Sequence, residues 1–200
     1  MRIRIPFEHF NTTEKDRFVV LSVTYELRRE GAPKVEYYDL KKALGEEPAS
    51  LSDVRTAVRS VRASKGMLVR QGGADSRSAG SFFKNPVVDR DVFENVVSAA
   101  LELGMARVDE GVPNYPAPDG KVKIPAAWLI EQSGFPKGHR KGNAGLSTVH
   151  TLALTNRGGA SAAEVMALKN DIQARVLEVF GISLIPEPTF IGFESGADSS

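Results

Sequence analysis

Apolar and polar positions change period several times along the chain, and each change predicts an element. Between Arg17 and Leu27 the residues are rich in β-branched and aromatic types, and Leu21, Val23, Tyr25 and Leu27 fall on one face. That alternation predicts a strand over 17–27. The turn Glu30-Gly31-Ala32-Pro33 follows, and a second short strand over 35–38 can pair back as a hairpin. A lone hairpin is marginal in water, so this one needs a sheet to join. At Ser50 the period lengthens. Leu51, Val54, Val58 and Val61 lie on one helical face, which predicts a helix over 50–64 capped by Ser50 or Ser52. Arg55, Arg59 and Arg62 run along a neighbouring face. They form a solvated stripe, or the last of them meets a phosphate near the helix end.

Periodicity disappears over 65–77, where Gly72-Gly73, Ser76, Ser78 and Gly80 mark a loop and the clearest boundary in the chain. A helix over 91–103 follows, with Asp91 and Glu94 at capping-box spacing and Gly104 as its stop. Short strands are expected over 105–109 and 122–124, separated by the turn-dense 114–120. Pro125 opens a helix that ends at Gly134. A long loop over 134–147 carries Lys137, His139, Arg140 and Lys141. After a strand over 151–155, Ser161 and Glu164 form a capping box for a long helix. Val165, Leu168, Ile172, Val176 and Val179 bury one side of it, and Gly181 ends it. The stretch 182–191 returns to extended structure, and Pro186 and Pro188 confine it to a sheet edge or covered end. The alternation of strands and helices makes the fold α+β.

Composition narrows the chemistry. The chain has 200 residues, with 26 Lys+Arg against 25 Asp+Glu and a net charge of +1. A balance that close gives no reason to expect nucleic acid or an anionic membrane as partner. Cysteine is absent, which excludes disulfide scaffolds, thiolate zinc sites and cysteine nucleophiles. Three histidines, His9, His139 and His150, do not suit a polyhistidine metal centre, and no metal is expected. No apolar run approaches the roughly 20 residues that span a bilayer. A cytoplasmic protein is expected.

The most unusual string is Ala79-Gly-Ser-Phe-Phe-Lys-Asn-Pro86. Ser81, Lys84 and Asn85 gather a hydroxyl, an ammonium and an amide in one glycine-flanked segment, a set that suits an anionic substrate. No base stands at a spacing that would make Ser81 a nucleophile, and the string is not a Gly-x-Ser-x-Gly elbow. Such a serine is better suited to donating a proton, which is downhill when the acceptor is a carbanion. Glu187 stands between two prolines in a mostly apolar stretch, where a carboxylate is paired or functional. Tyr115, after Asn114, and Lys123 can reach a phosphate from a loop and a strand.

These strings occur in a particular order: Ala-Gly-Ser81-Phe-Phe-Lys-Asn85-Pro, Pro-Asn-Tyr115-Pro-x-x-Asp-Gly-x-Val-Lys123, Ala-Trp-Leu-Ile-Glu-Gln, and Pro-Glu187 with Phe-Ile-Gly192. From about Asp16 to Gly192 the chain resembles the C-terminal part of the UDP-N-acetylenolpyruvoylglucosamine reductases, flavoenzymes of peptidoglycan synthesis. The resemblance implies that NADPH reduces FAD and that the flavin delivers hydride to the enolpyruvyl group of UDP-N-acetylglucosamine enolpyruvate. It implies Ser81 as proton donor and Glu187 as catalytic glutamate. By the same resemblance Tyr37 closes over the diphosphate, Lys65 binds phosphate, Asn85, Tyr115 and Lys123 contact the diphosphate-sugar, His150 contacts substrate, and Arg62 approaches the flavin diphosphate.

The chain also departs from the family pattern. A flavin-binding half with glycine-rich loops precedes the matched segment in the family, and no such string is present. Ile3 and Ile5 stand where the family has the arginine and serine of Tyr-Arg-x-Ser, with Arg2 and Arg4 out of register, and Thr189 replaces an arginine near Glu187. The expected organisation is therefore the last strands of a flavin-binding domain over 1–48, a connecting helix over 49–65, a substrate-binding domain over 66–182, and a returning strand with a polar tail over 183–200. The length then reads as a deficit. The binding-only alternative is a UDP-sugar-binding fragment that holds no FAD.

Overall fold

A computed structural model describes residues 14, 17–26, 31–45, 49–68, 72–73, 75–105 and 111–192. The backbone divides into two compact units, Met1–Lys34 and Val35–Ser200. In the first, Arg17 pairs with Glu14 at 2.7 Å. The predicted strand does not form over 17–26. Phe18, Val19, Val20, Leu21, Val23 and Tyr25 are all exposed. An alternating apolar face gains nothing from strand geometry until a second layer covers it. Leu27 and the predicted turn residue Glu30 lie outside the described residues, as do residues 106–109 of the strand expected over 105–109, the tail beyond 192, and Arg2, Ile3, Arg4 and Ile5.

The second unit opens with a correction. Val35–Tyr37 is not a strand, and Tyr38–Leu44 is a helix, α1. Its apolar pair Leu40 and Leu44 has helical spacing, and Asp39 in the first turn suits the positive end of the helix dipole. Helix α2, Leu51–Ser64, begins at Ser50, whose hydroxyl accepts from the Asp53 backbone N–H while Asp53 bonds back to Ser50. Helices α1 and α2 pack together.

The core lies between three helices and a four-stranded antiparallel sheet. The helices are α3 (Arg90–Glu102), α4 (Ala126–Gln132) and α5 (Ala162–Phe180). The strands are β1 (Ser78–Ser81), β5 (Arg140–Lys141), β6 (Ala144–Leu146) and β7 (Ala153–Asn156), in the order β1-β7-β6-β5. Helix α5 touches α3, α4 and β6. Leu168, Ile172 and Val176 are fully buried, with Val165 and Val179 packed beside them. The expected capping box is present: Ser161 Oγ accepts from the Glu164 N–H, and the Glu164 carboxylate accepts from the Ser161 N–H. Gly181 closes the helix in the left-handed region at φ +67°.

A second sheet joins β2 (Val87–Val88), β4 (Val122–Lys123) and β3 (Tyr115–Pro116), with β4 central. Two expectations fail locally. Helix α3 starts one residue early, with Asp89 at the N-cap and no side-chain cap bond. Asp91 therefore sits inside the first turn, where it meets the dipole but cannot cap. The basic stretch 134–147 is not one long loop, because β5 and β6 form a hairpin within it. The two-residue connection Gly142-Asn143, with Gly142 at φ +59°, carries the glycine-first pattern that favours this turn.

The chain end returns to β1. The Lys84 N–H donates to Ile185 O at 2.9 Å, and the Glu187 N–H donates to Phe82 O at 2.8 Å. Phe83 bridges Pro186 and is fully buried. Replacing Ser161 with Ala should cost about 1 kcal/mol, because the Glu164 N–H loses its acceptor and the Glu164 carboxylate loses the hydroxyl that donates to it. A urea titration should show the midpoint fall without a change in slope.

Candidate functional site

At the β1 edge, one extra residue enters the strand. Ser78 faces Thr155 and Ser81 faces Ala153, so three steps on β1 match two on β7. Gly80, at φ +93°, absorbs this bulge. Bulges re-aim side chains, and Ser81 is the residue that ends this one. The 82–187 backbone bond brings Glu187 to the same edge. Glu187 is exposed, not enclosed as its apolar neighbours suggest. The stretch 182–187 is extended, so Ile182 and Leu184 turn into the core while Ile185 and Glu187 turn outward.

Four residues beyond Ser81, Asn85 is engaged structurally. Its Oδ1 accepts from the Ala126 N–H at 2.9 Å. Pro125 occupies the N-cap of α4 and has no side-chain acceptor, so Asn85 satisfies that free N–H from a distant segment. Tyr115 and Lys123 are opposite one another across β3 and β4, with the ammonium 6.0 Å from the ring centroid. The Ile124 N–H bonds to Pro86 O at 3.0 Å and ties this sheet to the Asn85 segment. The expected residues Asn85, Tyr115 and Lys123 thus share one region.

Of the remaining expected residues, Tyr37, Lys65 and His150 gather around the C-terminal end of α2. Lys65 lies 5.4 Å from the Tyr37 ring centroid and 3.4 Å from its hydroxyl. It also forms an ion pair with Asp39, which the sequence reading does not single out. That bond from Lys65 holds Asp39 below its ordinary pKa, and the same bond raises Lys65. His150 is half-buried. Burial first, then the charges of Lys65 and Lys137, push its imidazole below the ordinary 6.5, while Glu131 opposes them. Asp39 has one usable sequence signal, its place in the first turn of an amphipathic helix. The Asp75–Arg157 ion pair, at 3.3 Å, has none, because its partners meet only through the fold.

Arg62 does not join this cluster through its guanidinium, which donates to Met67 O at 2.8 Å within its own turn. The described residues do not fit a flavin site. Their one expected diphosphate donor is engaged with the backbone, and they form no glycine-rich cradle. Among the described residues there is also no cluster of three or more metal-ligating side chains, and no helix is long and apolar enough to cross a membrane.

Lys65→Gln should raise the His150 pKa and Glu131→Gln should lower it, as read from the His150 ring proton by NMR. Unchanged values in both would exclude the cluster. Because the folded-state value is depressed, the contribution of His150 to stability is fully present above about 6.5. It is lost as pH falls through the folded value.

Residues 71–191 match the family described as UDP-N-acetylenolpyruvoylglucosamine reductase, C-terminal domain. Curated proteins of that name are similar over most of the chain. The one from Thermobifida fusca is 47% identical, across 89% of this chain and 51% of its own length. That from Corynebacterium diphtheriae is 40% identical, across 95% and 50%. That from Mycobacterium tuberculosis is 45% identical, across 87% and 48%. The chain spans about half the length of the curated relatives it matches. Ordered motifs, an α+β fold and this sustained identity agree, and the chain belongs to the UDP-N-acetylenolpyruvoylglucosamine reductase family, matching its C-terminal domain.

Proposed function

We propose that this chain supplies the substrate-binding part of a cytoplasmic reductase. The enzyme converts UDP-N-acetylglucosamine enolpyruvate to UDP-N-acetylmuramate for peptidoglycan synthesis. In the complete enzyme, FAD and NADPH would supply the hydride. Residues 66–182 form the substrate-binding domain, 49–65 the connecting helix, and 183–192 the returning segment.

The observation that carries this reading is the seam between 82–84 and 185–187. It supports the reading by joining the backbone of Glu187 to Phe82, the residue after Ser81, from opposite ends of the domain. Ser81 Oγ–H is the proton donor to the substrate carbon. Glu187 works beside it at the reacting group, and its outward position leaves the carboxylate available to substrate. Tyr115 and Lys123 take the diphosphate-sugar with Asn85. Tyr37 and Lys65 bring a hydroxyl and an ammonium to phosphate oxygens, with His150 as a further contact. The poor fit of these residues to a flavin favours a second reading, in which the 200-residue chain is a UDP-sugar-binding module without redox activity.

Titration of the chain with UDP, followed by amide NMR, should shift Asn85, Lys123, Lys65 and His150; no shifts at saturating nucleotide would overturn both readings. The role of Ser81 in the first reading is tested by placing Ser81→Ala in a complete, flavin-loaded reductase carrying this sequence. Turnover should fall about 10²- to 10⁴-fold while flavin reoxidation by substrate persists. Unchanged turnover would remove Ser81 from its role.

A further inference from the structure

We infer that Asp75 is a positioning residue for Lys65 and His150, its carboxylate clamping the turn at 147–150 against the turn at 65–67. The inference rests on the reading that these two side chains face an anionic ligand. Asp75 Oδ1 accepts from the Thr148 N–H at 3.0 Å, and Oδ2 accepts from Thr148 Oγ1 at 2.6 Å. Arg157 Nη1 approaches Oδ1 at 3.3 Å, and the same guanidinium, 6% exposed, donates to Leu146 O. A carboxylate from one loop thereby holds Thr148 within the turn directly, and through Arg157 reaches Leu146 just before it.

That turn carries His150. Ser147 Oγ is buried and accepts from the Val149 N–H and the His150 N–H, both at 3.2 Å. On the other side stands Gly66, at φ +66°. A Cβ there would lie 2.6 Å from Val149 Cγ2, 3.4 Å from Asp75 Cβ and 3.4 Å from Ser147 Oγ. The backbone next to Lys65 therefore lies directly on the turn that Asp75 pins. Burial alone would raise Asp75, but the Thr148 bonds and the Arg157 charge outweigh it and hold the group below its ordinary value. The clamp is thus an anion near neutral pH. Displacing the 147–150 turn moves the imidazole away from the ammonium at 65.

His150 reports the clamp independently of any ligand. The charges acting on it are Lys65, Lys137 and Glu131. Removing a nearby carboxylate would by itself lower an imidazole pKa. Loosening the turn acts in the opposite direction, by hydrating the ring and separating it from Lys65. The sign of the change therefore distinguishes a positioning role from a direct charge effect.

The test uses the 200-residue chain with Asp75→Asn, Asp75→Glu and, as a general stability control that leaves the Asp75–Thr148 bonds in place, Ser161→Ala. The expected result for Asp75→Asn is a His150 pKa raised by about half a unit or more. UDP binding should weaken about tenfold, the scale on which small misplacements of positioned groups act. Asp75→Glu should restore part of both, and Ser161→Ala should move neither. If Asp75→Asn does not fold, Thr148→Val removes one bond of the clamp and should raise the His150 pKa in the same direction. An unchanged or lowered His150 pKa in the folded variant overturns the inference, as does an equal shift in Ser161→Ala. If the unaltered chain fails to bind UDP, the functional reading falls, while the His150 titration still decides the role of Asp75.

Discussion

Backbone pairing of 82–84 with 185–187 is the contact on which the site depends. A pair of N–H···O bonds and the Phe83–Pro186 bridge close the end of the second unit onto the end of β1. Phe83 is buried by this closure, against a core that also holds Ile124, Leu129, Leu146 and Leu168. The same geometry turns Glu187 outward beside the bulge that re-aims Ser81. Fold closure and the meeting of the Ser81 and Glu187 segments are therefore one event. A change that opened this seam would disturb both the core and the arrangement of the two proposed catalytic groups.

A different balance operates around Lys65. Two groups share one ammonium: Asp39 by an ion pair, and Tyr37 through its hydroxyl and ring face. Burial, and after it the same positive charge at a distance, hold His150 toward its neutral form. These contacts are partly exposed, so solvent screens them and each contributes little to stability. Their effect is to set protonation and orientation. Stability comes instead from the apolar contacts of α5 and from local devices such as the Ser161–Glu164 capping box.

The helices are the most legible part of the sequence. Their apolar spacing, caps and terminal glycines are local signals, and α2, α3, α4 and α5 appear close to where those signals put them. The failures are also local in cause. Alternation at 17–27 describes a face suited to a sheet, and exposed β-branched residues do not adopt strand geometry without a covering layer. The helix at 38–44 was hidden by β-prone Val35 and Tyr37 immediately before it. The hairpin at 140–146 was hidden by positive charge that masked its Gly-Asn turn. Among the site residues, Ser81, Asn85 and Lys123 stand in specific strings. Asp39, Asp75 and Thr148 do not, and each meets a partner far away in the chain.

The sequence by itself determined the α+β class, the caps and stops of the main helices, the family, and the chemical types available at the site: hydroxyl, carboxylate, ammonium and imidazole. Those properties depend on spacing within a few turns of chain or on side-chain chemistry alone. Only the tertiary structure decided which groups meet. It brought Glu187 alongside Phe82, put Asn85 at the start of α4, assigned Arg62 to its own turn, and set Lys65 against Asp39 and near His150. Such contacts join distant segments, and their geometry depends on how the whole apolar core closes, which no local period encodes.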